Sequence, residues 1–418
     1  MATEIVALHA GQLIDGTGAD PIEHGVLIVA DGVIRAVGRR GRVTVPAGAR
    51  RVELDDGTLL PGLIDCHTHL GGTASVDFAQ WVIEDDRRQA IESTVQMRAL
   101  MDHGVTTIRD ISRNGLQLKA AVNAGSLPGP RIVACGPGLS RTGGHGDAHT
   151  LPADLVGRSH PWAMIADGPE QLRQAVRTLN RMGADAIKVW ATGGGMWDKE
   201  LETDQHYDLD ELRMVVREAA MVGAPVLAHA ESLAATKDCL RAGVATVEHG
   251  EELDDECLRM MVVRGVVLVP TLYLLLGPWF EQYPPPPRAG LADYRGETMV
   301  EKERNRITDN YTAARQAGVI IATGSDSFSS QHLPFGASLL AELRTMIEVG
   351  TPPMDALVAG TANAAKALRV AGVTGTLTEG KSADLLVLGA DPLGDPEAYR
   401  RENIRHVQRG PQVWTAAR

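Results

Sequence analysis

Residues 61–70 read PGLIDCHTHL. Leu63 and Ile64 begin an apolar, strand-like run that ends abruptly in polar residues. Asp65, His67 and His69 alternate, so an extended chain presents all three on one face. Two imidazoles closing a buried strand suggest chemistry at the strand end, and the same kind of closure recurs downstream.

Eight short apolar runs follow one another: 62–70, 105–110 (VTTIRD), 131–136 (RIVACG), 186–194 (AIKVWATGG), 225–232 (PVLAHAES), 245–250 (ATVEHG), 266–272 (VVLVPTL) and 319–326 (VIIATGSD). Amphipathic stretches at 169–182, 209–222, 232–242, 252–264 and 298–317 predict helices between them. Strands alternating with helices fit an α/β fold, either a (β/α)8 TIM-like barrel or a doubly wound open sheet. The polar residues decide between the two. His67 and His69 close the first run, Lys188 interrupts the fourth, and His229 and His249 lie near the ends of the fifth and sixth. Asp326 ends the eighth. A barrel gathers the C-terminal ends of its strands at one mouth, whereas an open sheet holds its first and last strands apart. The pattern therefore predicts closure.

The ends of the chain read differently. EIVALHAGQLIDG, HGVLIVADGVIRAVG and RRVELDDGTLLPG are β-rich runs broken by Gly and Asp turns, and GTLTEGKSADLLVLGADP and IRHVQRGPQVW resemble them. Neither end is large enough to fold alone. Residues 1–59 with 370–418 are expected to form one small composite β-sandwich domain beside a barrel of residues 60–369.

The totals exclude several functions. The 418 residues are 44% hydrophobic and 22% charged, as in ordinary globular proteins. A net charge of −12 and no basic cluster beyond GRRGRV argue against nucleic-acid or anionic-membrane partners. The four cysteines, Cys66, Cys135, Cys239 and Cys257, form no CxxC and suit a reducing cytoplasm. The start MATEIVALHAG carries no signal-peptide pattern, and no apolar run is long enough for a membrane span. A cytoplasmic location is expected.

Four histidines, an aspartate and a lysine at strand ends suit a divalent-metal site. Imidazole binds zinc, nickel, cobalt or iron, and a carboxylate completes the shell. The i, i+2 spacing of His67 and His69 lets one strand supply two ligands. An ammonium ion repels a metal, but burial lowers a lysine's pKa, and the neutral amine adds carbon dioxide. The resulting carbamate on Lys188 would bridge two cations as a carboxylate does. His9, His24, His103, His160 and His406 lack this context and read as ordinary core or surface residues. Asp65 is read as structural support for the histidines.

With LPGLIDCHTHL, AIKVWATGG, LAHA, VEHG, ATGSD and the tail GTLTEGKSADLLVL, the chain resembles the amidohydrolase superfamily nearly end to end. Within it the chain is similar to the imidazolonepropionase-like group, which includes Xaa-Pro and Xaa-Arg dipeptidases, phenylurea and carbamate hydrolases and ochratoxin-type amidases. GPGLSRTGGHGD at 136–147 is typical of that group. The resemblance implies a binuclear centre. His67 and His69 would hold the more buried metal, His229 and His249 the second, and N-carboxylated Lys188 would bridge them. Asp326 would bind metal and shuttle the catalytic proton. Two metal ions are expected, with zinc favoured by coordination chemistry and availability, and metal-activated hydroxide would attack the carbonyl. Homo-oligomers are common in the group, and one is expected here.

Substrate residues are less sharply marked. The resemblance implies that His145 meets the substrate carbonyl; otherwise it packs within its loop. Position 231 departs from the peptide-cleaving relatives, which often carry His or Tyr there. Glu231 would repel a carboxylate-bearing substrate unless it is paired. Met196, Trp197 and Tyr207 in 192–208, and Tyr273, Trp279, Phe280 and Tyr283 beside the prolines of 272–290, concentrate aromatics in two long loops. They read equally as a lid over an aromatic substrate or as loop packing. The expected function is cleavage of an amide-type C–N bond in a small molecule: an aryl amide, urea, carbamate or N-acyl amino acid. An Xaa-Pro or Xaa-Arg dipeptidase and a cyclic-amide hydrolase stay open. A metal-free binding protein on the same barrel is disfavoured by the intact ligand set.

Overall fold

A computed structural model describes residues 4–72, 78–156, 160–194, 197, 199–278, 297–329 and 331–414, with the side chains of 55, 78, 155 and 297–302 left aside. Trp279, Phe280, Tyr283, the proline run and Met196 lie outside the described residues.

The first four strands are β1 (Ile5–Leu13), β2 (Ile22–Ala30), β3 (Val33–Arg39) and β4 (Arg50–Pro61). They pair with the last three, β15 (Leu385–Leu388), β16 (Ile404–Arg409) and β17 (Gln412–Trp414), in one seven-stranded sheet. The joint between the two termini is the antiparallel pairing of β15 with β4, Leu385 opposite Pro61 and Leu388 opposite Thr58. The sheet curls on itself, because a bridge from Val33 to Ser382 brings β3 back to the approach of β15. Leu8, Leu13, Leu27, Ile34, Leu59, Leu385 and Val387 fill the space inside. The two expected half-domains thus share one core.

After Gly62 the chain enters the barrel. A Cβ at Gly62 would lie 2.2 Å from the Thr106 hydroxyl oxygen, so only glycine passes there. The barrel strands are β5 (Leu63–Thr68), β6 (Val105–Asp110), β7 (Arg131–Ala134), β10 (Ile187–Trp190), β11 (Val226–Ala230), β12 (Thr246–His249), β13 (Val267–Val269) and β14 (Ile320–Ile321). Two further short parallel strands, β8 (Gly138–Ser140) and β9 (Ala163–Ile165), extend the β10 edge and were not evident as runs. Closure is made by hydrogen bonds at two seams. Asp185 N–H donates to the Ala134 carbonyl between β7 and β10. Cys66 N–H donates to Thr323, Asp326 N–H to His67 and His69 N–H to Ser327, joining the eighth strand to the first. The chain is a TIM-like barrel with a small β domain built from both termini.

The helices follow the amphipathic stretches. Gly168–Met182, Leu209–Ala220, Leu233–Ala242, Asp255–Arg264 and Glu297–Ala317 separate successive strands. Asp208 and Glu211 form a reciprocal capping box at the start of Leu209–Ala220, satisfying two otherwise orphan N–H groups. Every residue of β5, β6, β10, β11, β12 and β13 is buried, as expected of parallel strands covered on both faces.

Candidate metal centre

Strand register brings the ends of three ligand-bearing strands together. Trp190 pairs with His229, and Ala230 with His249, so β10, β11 and β12 end together at the mouth. Alternation alone would not aim all six polar residues inward. Glu248 and His249 are neighbours on β12, yet both reach His67: Glu248 Oε2 lies 3.0 Å from His67 Nδ1, and the rings of His67 and His249 are 5.4 Å apart. The backbone resolves the conflict. His249, Thr271 and Asp326 adopt φ of 67°, 49° and 52°, the left-handed region that non-glycine residues avoid. Each sits just at or past the end of a strand, where that turn redirects a side chain into the mouth. Gly324 helps, since a Cβ there would lie 3.0 Å from His67 Cβ and closer still to Val269.

Asp326 Oδ1 is 3.4 Å from His67 Nε2 and 3.0 Å from His69 Nε2, and its Oδ2 is 4.0 Å from His249 Nε2. Lys188 is fully buried with Nζ 3.4 Å from His67 Nε2. The His229 and His249 rings meet edge to face at 4.6 Å. All six residues therefore surround one small volume.

The far side of each ring fixes which nitrogen is free. His69 Nδ1 donates to the Ile111 carbonyl at 2.9 Å, and His229 Nε2 donates to the Gly193 carbonyl at 3.0 Å. His249 Nδ1 pairs with the Thr271 hydroxyl at 2.7 Å. A ring nitrogen that donates to a carbonyl carries the proton, so the other offers a lone pair. His69 thus offers Nε2, and His229 offers Nδ1. Asp65 accepts from His67 N–H at 3.1 Å and from Ser325 N–H and Oγ at 3.0 and 2.6 Å. It stitches strand one to strand eight, the supporting role expected of it.

Burial dominates the electrostatics. It pushes His67 down to about 4 and holds His229 and His249 well below the usual imidazole range, so all three are neutral, the ligating form, at pH 7. Burial also brings Lys188 down to about 8. Burial pushes the Asp326 carboxyl up, and the His67 and His69 rings hold it well below the usual carboxylate range only when they carry a proton, a place a divalent cation would take over. Lone pairs of several rings, a carboxylate and an amine thus converge on one volume. That donor chemistry fits divalent cations. His67, His69 and Asp326 form one candidate ligand group, and His229, Glu231 and His249 another, with the ligand atoms of each group within 4.8 Å of one another.

The residues suggested for substrate contact divide. His145 is buried beside the centre, its ring stacked 4.5 Å from His229 and its Nδ1 3.0 Å from Glu200 Oε1. Glu231 is buried with Oε1 3.5 Å from His229 Nε2. Trp197 donates from its indole to the His145 carbonyl at 2.9 Å, so it holds the His145 loop. Tyr207 donates to the Ala166 carbonyl and packs in the core with Leu212 and Leu172, which is packing and not a pocket rim. Tyr273 is half-buried against the aromatic cluster, and its backbone N–H donates to Glu342.

Three contributors escaped the sequence reading. Trp81 and Trp162 stack at 5.5 Å, and each meets His69 edge-on at 6.1 Å, forming an indole wall with Trp190. No spacing marks them, because the helix Phe78–Ile83 and the approach to β9 are brought together only by the fold. Glu248 left a faint signal: a carboxylate inside the apolar run ATVEHG, which needs a buried partner. Its partner is Arg109, at 2.7 Å.

The model of the amidohydrolase family matches residues 58–412. The ochratoxinase of Aspergillus niger is 30% identical over 98% of this chain and 87% of its own length. Its crystal structure superposes with a TM-score of 0.87 and 28% identity, covering 99% of this chain and 96% of that one. A Xaa-Pro dipeptidase with methionine bound in its active site superposes with a TM-score of 0.85 and 29% identity, over 99% of this chain and 100% of that one. The imidazolonepropionase of Rhizorhabdus wittichii is 27% identical over 89% of this chain and 90% of its own.

Proposed function

The chain belongs to the amidohydrolase family and is a hydrolase acting on C–N bonds, and from that premise we propose that it cleaves an amide-type bond in a small molecule with two divalent ions. The observation that carries this reading is the convergence of His67, His69 and Asp326 with His229 and His249 around buried Lys188. His67, His69 and Asp326 would hold one ion, and His229 and His249 the other. Lys188, N-carboxylated by carbon dioxide, would join them; burial lowers its pKa to about 8 and so raises the share of the neutral amine, the form that reacts. When bound, such ions, most simply zinc, lower the pKa of water and polarise a carbonyl.

The residues supply the rest. Asp326 is kept ionised beside divalent cations, so it accepts a proton from the attacking water and returns it to the leaving nitrogen. His145, steadied by Glu200 and Trp197, is assigned to the substrate carbonyl. The indoles of Trp81, Trp162 and Trp190 pack as a buried apolar wall beside the centre, which keeps water from that side. An aryl amide, urea, carbamate or N-acyl amino acid is the substrate class that fits. The similarity to a Xaa-Pro dipeptidase favours dipeptides as the second reading. A cytoplasmic homo-oligomer is part of the proposal; among the described residues no helix is long and apolar enough to cross a membrane.

Zinc-loaded enzyme in bicarbonate buffer, offered anilides, phenylureas, aryl carbamates, N-acyl amino acids and Xaa-Pro peptides, tests the reading. Turnover of the aryl and N-acyl compounds supports it, peptide turnover alone installs the dipeptidase reading, and no turnover at full metal loading defeats both.

A further inference from the structure

The rings of the metal centre are backed unequally. His69, His229 and His249 lean on neutral groups: the carbonyls of Ile111 and Gly193 and the hydroxyl of Thr271. Glu231 Oε1 also approaches His229, but at 3.5 Å it lies beyond the carbonyl at 3.0 Å that takes the ring proton. His67 faces a carboxylate, Glu248 Oε2, at 3.0 Å. That carboxylate cannot swing away. Its other oxygen accepts from Arg109 at 2.7 Å and from the Thr246 hydroxyl. Arg109 also donates to Thr246 at 3.2 Å and, through Nε, to the Cys66 carbonyl at 2.6 Å. Cys66 is the residue before His67. One buried guanidinium therefore ties β5, β6 and β12 together and sets both the carboxylate and the backbone beside that histidine.

We infer that the Arg109–Glu248 pair is a positioning device that makes the metal position at His67 and His69 the tighter of the two, an inference that rests on the two-metal reading above. The 3.0 Å contact is not an aligned hydrogen bond, but a negative charge beside Nδ1 favours the tautomer that carries its proton on that side, so Nε2 meets the cation as a lone pair. The opposite tautomer would put a proton where the cation belongs. A negative charge behind a ligating imidazole also raises its basicity, and losing such a partner costs about 10–100-fold in metal affinity. Without Arg109 the carboxylate would be an uncompensated buried charge. The second position has no such pair among the described residues. If the pair merely fills the barrel interior, its loss lowers fold stability but leaves the ratio of the two affinities alone.

The test is a stepwise Co(II) titration of the metal-free protein against a competing chelator, followed by the visible spectrum of bound cobalt. Wild-type protein should show two classes of site. Glu248→Gln should weaken the tighter class about 10–100-fold and leave the weaker within about threefold. Thr246→Val, which keeps the ion pair and removes one donor to Glu248, should shift the same class by less, and serves if the first variant does not fold. One affinity class in the wild type, equal weakening of both classes or no weakening overturns the inference while the two-metal reading survives. No cobalt bound by wild-type protein defeats both.

Discussion

Asp326 stands where strand eight ends, in a left-handed conformation, with two imidazoles within 3.4 Å of one oxygen. Asparagine tolerates that backbone well and keeps the shape, but it cannot take a proton. Asp326→Asn should therefore leave the circular dichroism and melting temperature close to wild type while lowering kcat by at least about 10²–10⁴-fold, the range for general acid–base groups. Loss of the fold, or a retained rate, would contradict that role. Asp65 makes the opposite case: it is equally buried but turned into a seam. Removing a donor from it with Ser325→Ala should cost about 1–3 kcal/mol in urea unfolding, the penalty for an under-satisfied buried carboxyl. The histidines, Lys188 and Asp326 were readable in the sequence because each closes or interrupts an apolar run. Glu248 and the two indoles were not. Their meaning depends on contacts with Arg109 and His69 that only the fold makes.

At the level of elements, the eight strands were legible as apolar runs and the helices between them as amphipathic stretches. The chain left no sign of how one helix would hold the end of a distant strand. After β13 the backbone turns left-handed at Thr271 and starts the short helix Leu272–Leu276. The N–H groups of Leu272 and Tyr273 donate to the two carboxyl oxygens of Glu342, on the helix Ala337–Glu348, at 3.0 and 2.6 Å. Burial pushes Glu342 up to about 8 from an ordinary 4.5. The folded protein thus holds this proton to a higher pH than the unfolded chain, and folding gains from it fully below about 4.5. That gain is lost as pH rises through about 8. Unfolding free energy measured from pH 5 to 8 should fall more steeply for wild type than for Glu342→Gln. Parallel curves would mean the carboxyl does not titrate in this window.

At the scale of the whole molecule, the C-terminal segment is packed into the core of the barrel. Leu386, Tyr399, Ile404 and Val407, from the C-terminal segment, pack in the same core as Leu100, Met101 and Val105 of the barrel. Trp414 reaches across to donate to Asp102 at 2.8 Å. Leu386→Ala should cost about 2–5 kcal/mol and lower the melting temperature of a single transition by calorimetry. A separate early transition with the barrel unmoved would show two independent units. The barrel in turn exists, functionally, to bring six residues from five strands to one mouth, and the account stands on what those six hold. The most direct check is activity against an aryl amide as metal-free protein is titrated with zinc in bicarbonate buffer, with bound metal counted in the same samples. Activity should climb with loading and level off at two ions per chain. Full activity in metal-free protein, or a plateau with no zinc retained, would contradict it.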